Sequence, residues 1–195
     1  MLVRRYLPNG GRILDYGGGD GTLPVEALNH YTIEIYDPVQ EKFTTNSIHL
    51  FDAAICSLVV PWIPDIDIAF KEIAGQLKQC AVAIVSLPNP VTFRTGRWLS
   101  LSEGKYLIDK LPPTHGTLGM IGRVVGPLRM YPRQLSEIIN SMVDSGFVIV
   151  GIDDVAATTY EVEEMLKLGH PNPLQHSNIS PFVTIIARYY PLYSS

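Results

Sequence analysis

Two aspartates, Asp15 and Asp37, each close a short apolar run, and they stand 22 residues apart. In "ILDYGGGDGTL" (residues 13–23) the first is followed by a turn stripped of side chains at Gly17, Gly18, Gly19 and Gly21. Glycine permits positive φ and lets a ligand touch the main chain. Such a turn at a strand's carboxyl end therefore aims backbone N–H groups at one point. A carboxylate just before the turn does nothing useful for a pyrophosphate, but it suits a ligand carrying a cationic amine. The second carboxylate, at the end of "TIEIYD" (32–37), is placed to accept hydrogen bonds from both hydroxyls of a ribose. Pro38 then starts a turn. The rival dinucleotide reading, a nicotinamide oxidoreductase, wants Gly-x-Gly-x-x-Gly. Gly17 and Gly19 meet its first two positions, but the third is Thr22, a β-branched residue where close helix packing wants glycine.

These residues require strands that end where they stand. "RILDY" (12–16), "TIEIYD" (32–37), "DAAICSL" (52–58) and "CAVAIVSL" (80–87) are apolar runs of strand length bounded by Gly, Pro, Asn or Asp. "DIDIAFKEIAGQLK" (65–78) places Ile66, Ala69, Phe70, Ile73 and Leu77 on one helical face, with Asp65 as N-cap. Strand–helix alternation of this kind predicts a parallel sheet covered by helices. "PRQLSEIINSMVDSGF" (132–147) predicts a helix with a stripe of Leu135, Ile138, Ile139, Met142 and Val143, ended by Gly146. "FVIVGID" (147–153) and "FVTIIARYY" (182–190) read as two last strands forming a reversed hairpin, with a short helix at "EVEEMLKLG" (161–169) between them. Residues 88–130 are rich in Gly and Pro and weakly periodic, which predicts a long irregular insertion or lid within one domain spanning 1–195.

Composition narrows the classes. Hydrophobic residues make up 46% and charged ones 17%, the profile of a packed domain rather than a disordered chain. The longest apolar stretch, "AAICSLVVPWI" (53–63), is broken by Ser57 and Pro61 and falls short of the ~20 residues that cross a bilayer. The first residues carry no signal-peptide pattern, so the expected location is cytoplasmic. A net charge of −4 without a basic run argues against a nucleic-acid partner. Cys56 and Cys80 are isolated, and no His, Cys or acidic cluster has metal-ligand spacing, so no metal is expected.

The pattern Asp-x-Gly-x-Gly-x-Gly at Asp15, Gly17, Gly19 and Gly21 resembles motif I of the Rossmann-like (class I) S-adenosylmethionine-dependent methyltransferases of small-molecule type. "FDAAICSLVVPWIPDIDIAFKEIAGQLK" is similar to the family's fourth strand and following helix, and "AIVSLPNP" to its fifth strand. "MYPRQLSEIINSMVDSGFVIVGI" is similar to its late helix, Gly-Phe turn and sixth strand. With 12 residues before Ile13 and 14 between Asp37 and Asp52, the pattern is shortened at the N-terminus and around the third strand, which is reduced to "SIHL" (47–50) or missing.

The resemblance implies a doubly wound α/β fold: a mostly parallel sheet with helices on both faces and an antiparallel last strand. It implies S-adenosyl-L-methionine as cofactor and S-adenosyl-L-homocysteine as product. Asp15 would orient the ligand's amino group, Gly17, Gly18, Gly19 and Gly21 would surround the methionine moiety, and Asp37 with Pro38 would meet the ribose. Ser57 and Leu58 would line the pocket at the fourth strand's end, and Tyr16 would face the sulfonium. His115, in "PPTHGTLGMIG", is the candidate general base of the insertion. Tyr131 is a second candidate for the acceptor pocket. The acceptor is expected to be a small organic molecule methylated at O, N or C. The rival from a different class is a non-catalytic or partner-dependent subunit, with a second chain or a copy of this one covering the site.

Overall fold

A computed structural model describes residues 2–18, 30–37, 42–43, 50–90, 114–120, 123–131, 133–155 and 182–191. The first strand, β1 (Gly11–Tyr16), is the hinge of the architecture. It pairs in parallel with β2 (Tyr31–Asp37) on one side and β4 (Phe51–Ser57) on the other. β4 pairs in parallel with β5 (Leu77–Pro88). β9 (Phe182–Tyr189) runs antiparallel to both β5 and the edge strand β8 (Phe147–Val155). With β3 (Lys42–Phe43), the sheet has seven strands in the order β3-β2-β1-β4-β5-β9-β8. Five of them run in one direction and only β3 and β9 oppose it, as the sequence pattern predicts for the last strand.

Strand alternation divides the sheet's side chains between two apolar layers. Leu14, Tyr16, Ala54, Cys56, Ala83, Val85 and Ile185 pack on one face with α2 (Ile66–Gly75) and α3 (Leu135–Asp144). Ile13, Ala53, Ile55, Val82 and Ile84 join Val3 of α1 (Leu2–Tyr6) on the other. Helices thus cover both faces among the described residues. Their ends follow from local chemistry. Asp65 accepts from the N–H groups of Asp67 and Ile68, both at 3.0 Å, which caps α2 as expected. Gln134 and Glu137 form a reciprocal capping box on α3, and Gly146, at φ +92°, turns the chain out of it.

Two expectations need correction, and a third falls largely outside the described residues. The segment 65–78 is not all helix: α2 ends at Gly75, and Leu77 and Lys78 already belong to β5. Leu77 satisfies both the helical stripe and the strand, and the pairing of Phe51 with Leu77 decides for the strand. Beside β2 the described residues add the two-residue β3, antiparallel to it, with Asp37 opposite Lys42. An antiparallel neighbour needs only a short connection, whereas a parallel strand needs a crossover of about a dozen residues or more. Of "SIHL", residues 47–49 lie outside the described residues and Leu50 is not in a strand. Finally, part of the insertion is regular: β6 (Thr114–Met120) and β7 (Arg123–Met130) form a separate antiparallel ribbon. Its glycines and Pro127 break the alternation that would have announced strands. The expected helix at 161–169 lies outside the described residues.

Polar ties position the start of β1. Asp52 accepts from the Arg12 N–H at 2.9 Å and from Lys78 Nζ at 2.7 Å, joining β1, β4 and β5. The Arg12 guanidinium pairs with the buried Glu34 of β2 and lies 5.6 Å from the Phe51 ring centroid. If the α2 layer carries the core, Ile73→Ala, at a fully buried site, should cost about 2–5 kcal/mol in urea unfolding. Ile68→Ala, on the exposed face of the same helix, should stay within about 0.5 kcal/mol.

Candidate functional site

The carboxyl ends of β1, β2 and β4 converge on the glycine turn. Asp15 lies opposite Ile35 in the parallel register, so it faces the same side of the sheet as Ile35 and, two residues on, Asp37. The two carboxylates singled out by sequence therefore share one face at adjacent strand ends. Asp15 is only 2% exposed, and its Oδ2 has no hydrogen-bond partner among the described residues. Burial pushes its pKa up to about 6. The carboxyl lies flat against Gly18, where any Cβ would overlap Asp15 Oδ2 and the Ile35 side chain. Gly17 has φ +79°, and its N–H donates to the Tyr36 carbonyl at 2.7 Å. A side chain there would run into Val59. Both glycines are thus demanded by close approach, and Gly17 by its conformation as well.

The wall opposite comes from β4. Ser57 ends the strand, exposed, in register with Ser86 of β5. Leu58 then takes φ +58°, rare for a residue with a side chain, and its N–H donates to the Ser86 carbonyl at 2.8 Å. That reversal brings Val59 onto Gly17 and leads into a single 3-10 turn, Val60–Trp62. Tyr16 is differently placed. Its ring belongs to the apolar layer on the α2 side, 5.3 Å from the Tyr36 ring, and its hydroxyl donates to Glu72 at 2.7 Å. Burial and the neighbouring Glu72 carboxylate keep that phenol far from ionising. The strand reversal thus turns the Tyr16 ring to the opposite face from Asp15, and only its main chain borders the glycine turn. Gly19, Gly21 and Pro38 lie outside the described residues.

The ribbon carries one acceptor-side candidate and leads directly into the other. His115 is opposite Arg129, and Thr114 opposite Met130, so the ribbon's pairing places His115 near the strand end that leads into Tyr131. The His115 backbone is in a strand rather than a loop, and its side chain is outside the described residues. Tyr131 is anchored: its N–H donates to the Pro61 carbonyl at 2.7 Å, joining the ribbon's base to the 3-10 turn beside Gly17. Among the described residues no group of three or more His, Cys, Asp or Glu could hold a metal, and no helix is long and apolar enough to cross a membrane.

No family model and no curated protein matches the chain in sequence. Solved structures do match in shape. An S-adenosylmethionine-dependent methyltransferase from Mesorhizobium loti superposes with a TM-score of 0.62 at 20% identity, over 96% of this chain and 95% of that one. A match to the cyclase SpnF has a TM-score of 0.57 at 17% identity, over 98% and 79%. A chain of the Haloferax volcanii complex between the Trm112 methyltransferase activator and a methyltransferase gives 0.56 at 10% identity, over 94% and 84%. The fold is that of the class I methyltransferases. Identities this low carry the methyltransferase architecture and not its chemistry, since the same fold serves a cyclase.

Within the methyltransferase fold, two residues that brace the glycine turn and the loop after β4 escape the sequence. Val59 was invisible because a valine after an apolar strand reads as core. Arg133 was invisible because a lone arginine before a helix reads as surface. Yet Arg133 donates to the carbonyls of Val60 (3.1 Å), Ile63 (2.6 Å) and Pro64 (2.8 Å), with its guanidinium 5.6 Å from the Tyr131 ring centroid. It binds the loop after β4 to the start of α3.

The raised Asp15 pKa has a signed consequence. With a folded value near 6 and an ordinary value of 3.8, the folded state holds this proton more tightly than the unfolded chain. The stabilisation is complete below about 3.8 and is lost as pH rises through about 6. Asp15→Asn should therefore flatten the stability profile across that window and, without ligand, be more stable than the parent at neutral pH. Urea unfolding at a series of pH values checks this; parallel profiles for the two proteins would contradict it.

Proposed function

We propose that this chain binds S-adenosyl-L-methionine and transfers its methyl group to a small organic acceptor. The observation that carries the reading is the buried, half-unpartnered Asp15 carboxylate, which shares a sheet face with Asp37 beside a turn where Gly17 and Gly18 admit no side chain. A partnerless carboxylate oxygen in apolar surroundings suits a cationic ligand amine, reached directly or through water. When bound, the cofactor supplies an electrophilic methyl on a sulfonium: the acceptor's lone pair forms the new bond to carbon, the sulfur keeps the electrons of the old one, and S-adenosyl-L-homocysteine remains.

The chain's own residues have separate tasks. Asp15 holds the ligand's ammonium, and Asp37, with Pro38, meets the ribose, the carboxylate accepting from its hydroxyls. Gly17 and Gly18, with Gly19 and Gly21, present main chain to the methionine tail, and Tyr16 contributes through its backbone alone. Ser57 and Leu58 form the wall beside them. His115 takes the proton that an O- or N-acceptor must lose, and Tyr131 borders the acceptor. Because sulfonium transfer is downhill, positioning and exclusion of water can supply much of the rate without a catalytic triad. No nucleic-acid surface and no metal enter the scheme, and a cytoplasmic setting suits it.

One observation favours the second reading, a partner-dependent or non-catalytic subunit. The β2 side of the sheet ends in a two-residue strand, and a chain of similar fold is known in complex with a methyltransferase activator. A partner chain or a second copy would then complete the cover of the ribose side.

Calorimetry with S-adenosyl-L-methionine and S-adenosyl-L-homocysteine separates the two. The methyltransferase reading expects saturable binding of both. It also expects Asp37→Ala to weaken each by roughly ten- to a hundredfold, the loss of a charge-assisted hydrogen-bond pair. Folded protein that gives no heat with either ligand would support the subunit. Unchanged affinity in Asp37→Ala would remove the ribose assignment.

A further inference from the structure

A cleft of about 610 Å³ opens between the start of α2 and the outer face of α3. Asp65 and Asp67 line it from α2, and Glu137, Asn140, Ser141 and Asp144 line it from α3. One cation, Arg133, also borders it, but its guanidinium is spent on the carbonyls of Val60, Tyr131, Ile63 and Pro64. Four carboxylates and the C-terminal end of α3, set against one guanidinium and two helix N-termini, leave the cleft negative by roughly two to three units when each helix end counts as half a charge.

Two features show that these groups await something. Ser141 is only 4% exposed, yet its Oγ has no hydrogen-bond partner among the described residues. A helical serine ordinarily bonds back to the carbonyl a turn earlier or faces water; this one does neither and borders the cleft. Asp144 stands in the last turn of α3, where the helix dipole disfavours an anion and no basic residue offsets it. Neither Asp67 nor Asp144 makes a side-chain hydrogen bond or ion-pair contact among the described residues.

The arrangement also selects the ligand's shape. No three of the described carboxylates converge closely enough to hold a metal ion. They are strung out instead: Glu137 to Asp144 is seven residues of helix, a rise of about 10 Å. A single small cation meets one of them at a time, whereas an extended chain with several ammonium groups meets them together. We propose that the cleft binds an elongated aliphatic polyamine, one ammonium received by Asp144 and Ser141 Oγ and another by the Asp65–Asp67 end. The methylene stems between would lie along Ile66 and the Tyr131 ring, which also line the cleft. This cleft shares Tyr131 with the acceptor side of the proposed function, but its binding of a polyamine does not depend on that reading.

Titration calorimetry of the full chain with spermidine in about 0.15 M salt, where diffuse attraction is screened, tests the assignment. Saturable one-to-one binding is expected, weakened about tenfold by Asp144→Asn and also by Ser141→Ala, and abolished by Asp144→Lys. Ser141→Ala removes a hydroxyl with no partner, so its thermal midpoint should not fall while its affinity does. A purely structural role would move the two together and would count against the site. Absence of saturable binding to the parent protein, or equal affinity in all variants, overturns the proposal. So does equally tight binding of magnesium chloride at matched ionic strength, which would reduce the effect to a diffuse field. Tetralysine binding more tightly than spermidine, with the same variant pattern, would replace the small molecule by a basic segment of a partner protein.

Discussion

A carboxylate removed from water without a full set of partners is among the costliest things a fold can hold. Asp15 is such a group, and the rest of the site is arranged around it. β1 can bury it because β2 and β4 flank that strand on both sides. The chain leaves the strand without colliding with it because Gly18 has no Cβ. Gly17 turns in the left-handed region, and Val59 fills the space a side chain would have taken. Val59 is in turn delivered by the left-handed Leu58, a conformation costing on the order of 1 kcal/mol and held by its bond to Ser86. A strained leucine, two bare glycines and a reluctant carboxylate are therefore one device spread over two strand ends.

Much of this was legible in the order of residues. Strand alternation around Leu14, Ala54 and Ala83 announces a two-faced sheet, and Asp65 and Gly146 mark helix ends by chemistry that acts within a few residues. That Asp15 and Asp37 end adjacent strands was legible because each carboxylate closes an apolar run. What could not be read were outcomes decided by distant partners. Leu77 carries no local mark choosing helix or strand; Phe51 chooses for it. The position of β3 follows from how little chain separates Asp37 from β4, a limit on reach rather than a pattern of side chains. Tyr16 is one residue from Asp15 in sequence and on the opposite face in space, a consequence of the two-residue strand repeat. Ser141 reads as solvated until α2 is packed beside it.

The site and the α2–α3 cleft illustrate two ways in which one fold acquires negative potential. At Asp15 the charge is buried and its affinity for protons rises; at Asp144 it remains in water and depends on neighbours for its field. Between them runs a continuous mechanical element. The 3-10 turn touches Gly17 through Val59 at one end, and the carbonyls of Val60 and Ile63 receive Arg133 at the other. Architecture alone leaves the chemistry open, since proteins of this shape include a cyclase as well as methyltransferases.

The antiparallel placement of β9 between β5 and β8 has a consequence for how the protein is made. Ser86 of β5 bonds to Thr184 of β9, 98 positions later in the chain. At ribosomal speeds of roughly 5–20 residues per second, β5 emerges about 5–20 s before the strand that will cover its free side. For that interval the row from Ala81 to Leu87, almost wholly apolar, offers an open hydrogen-bonding ladder to any passing β-strand. The strand order thus leaves this edge uncovered during synthesis, and the exposed row includes Ser86, whose carbonyl holds Leu58 beside the glycine turn.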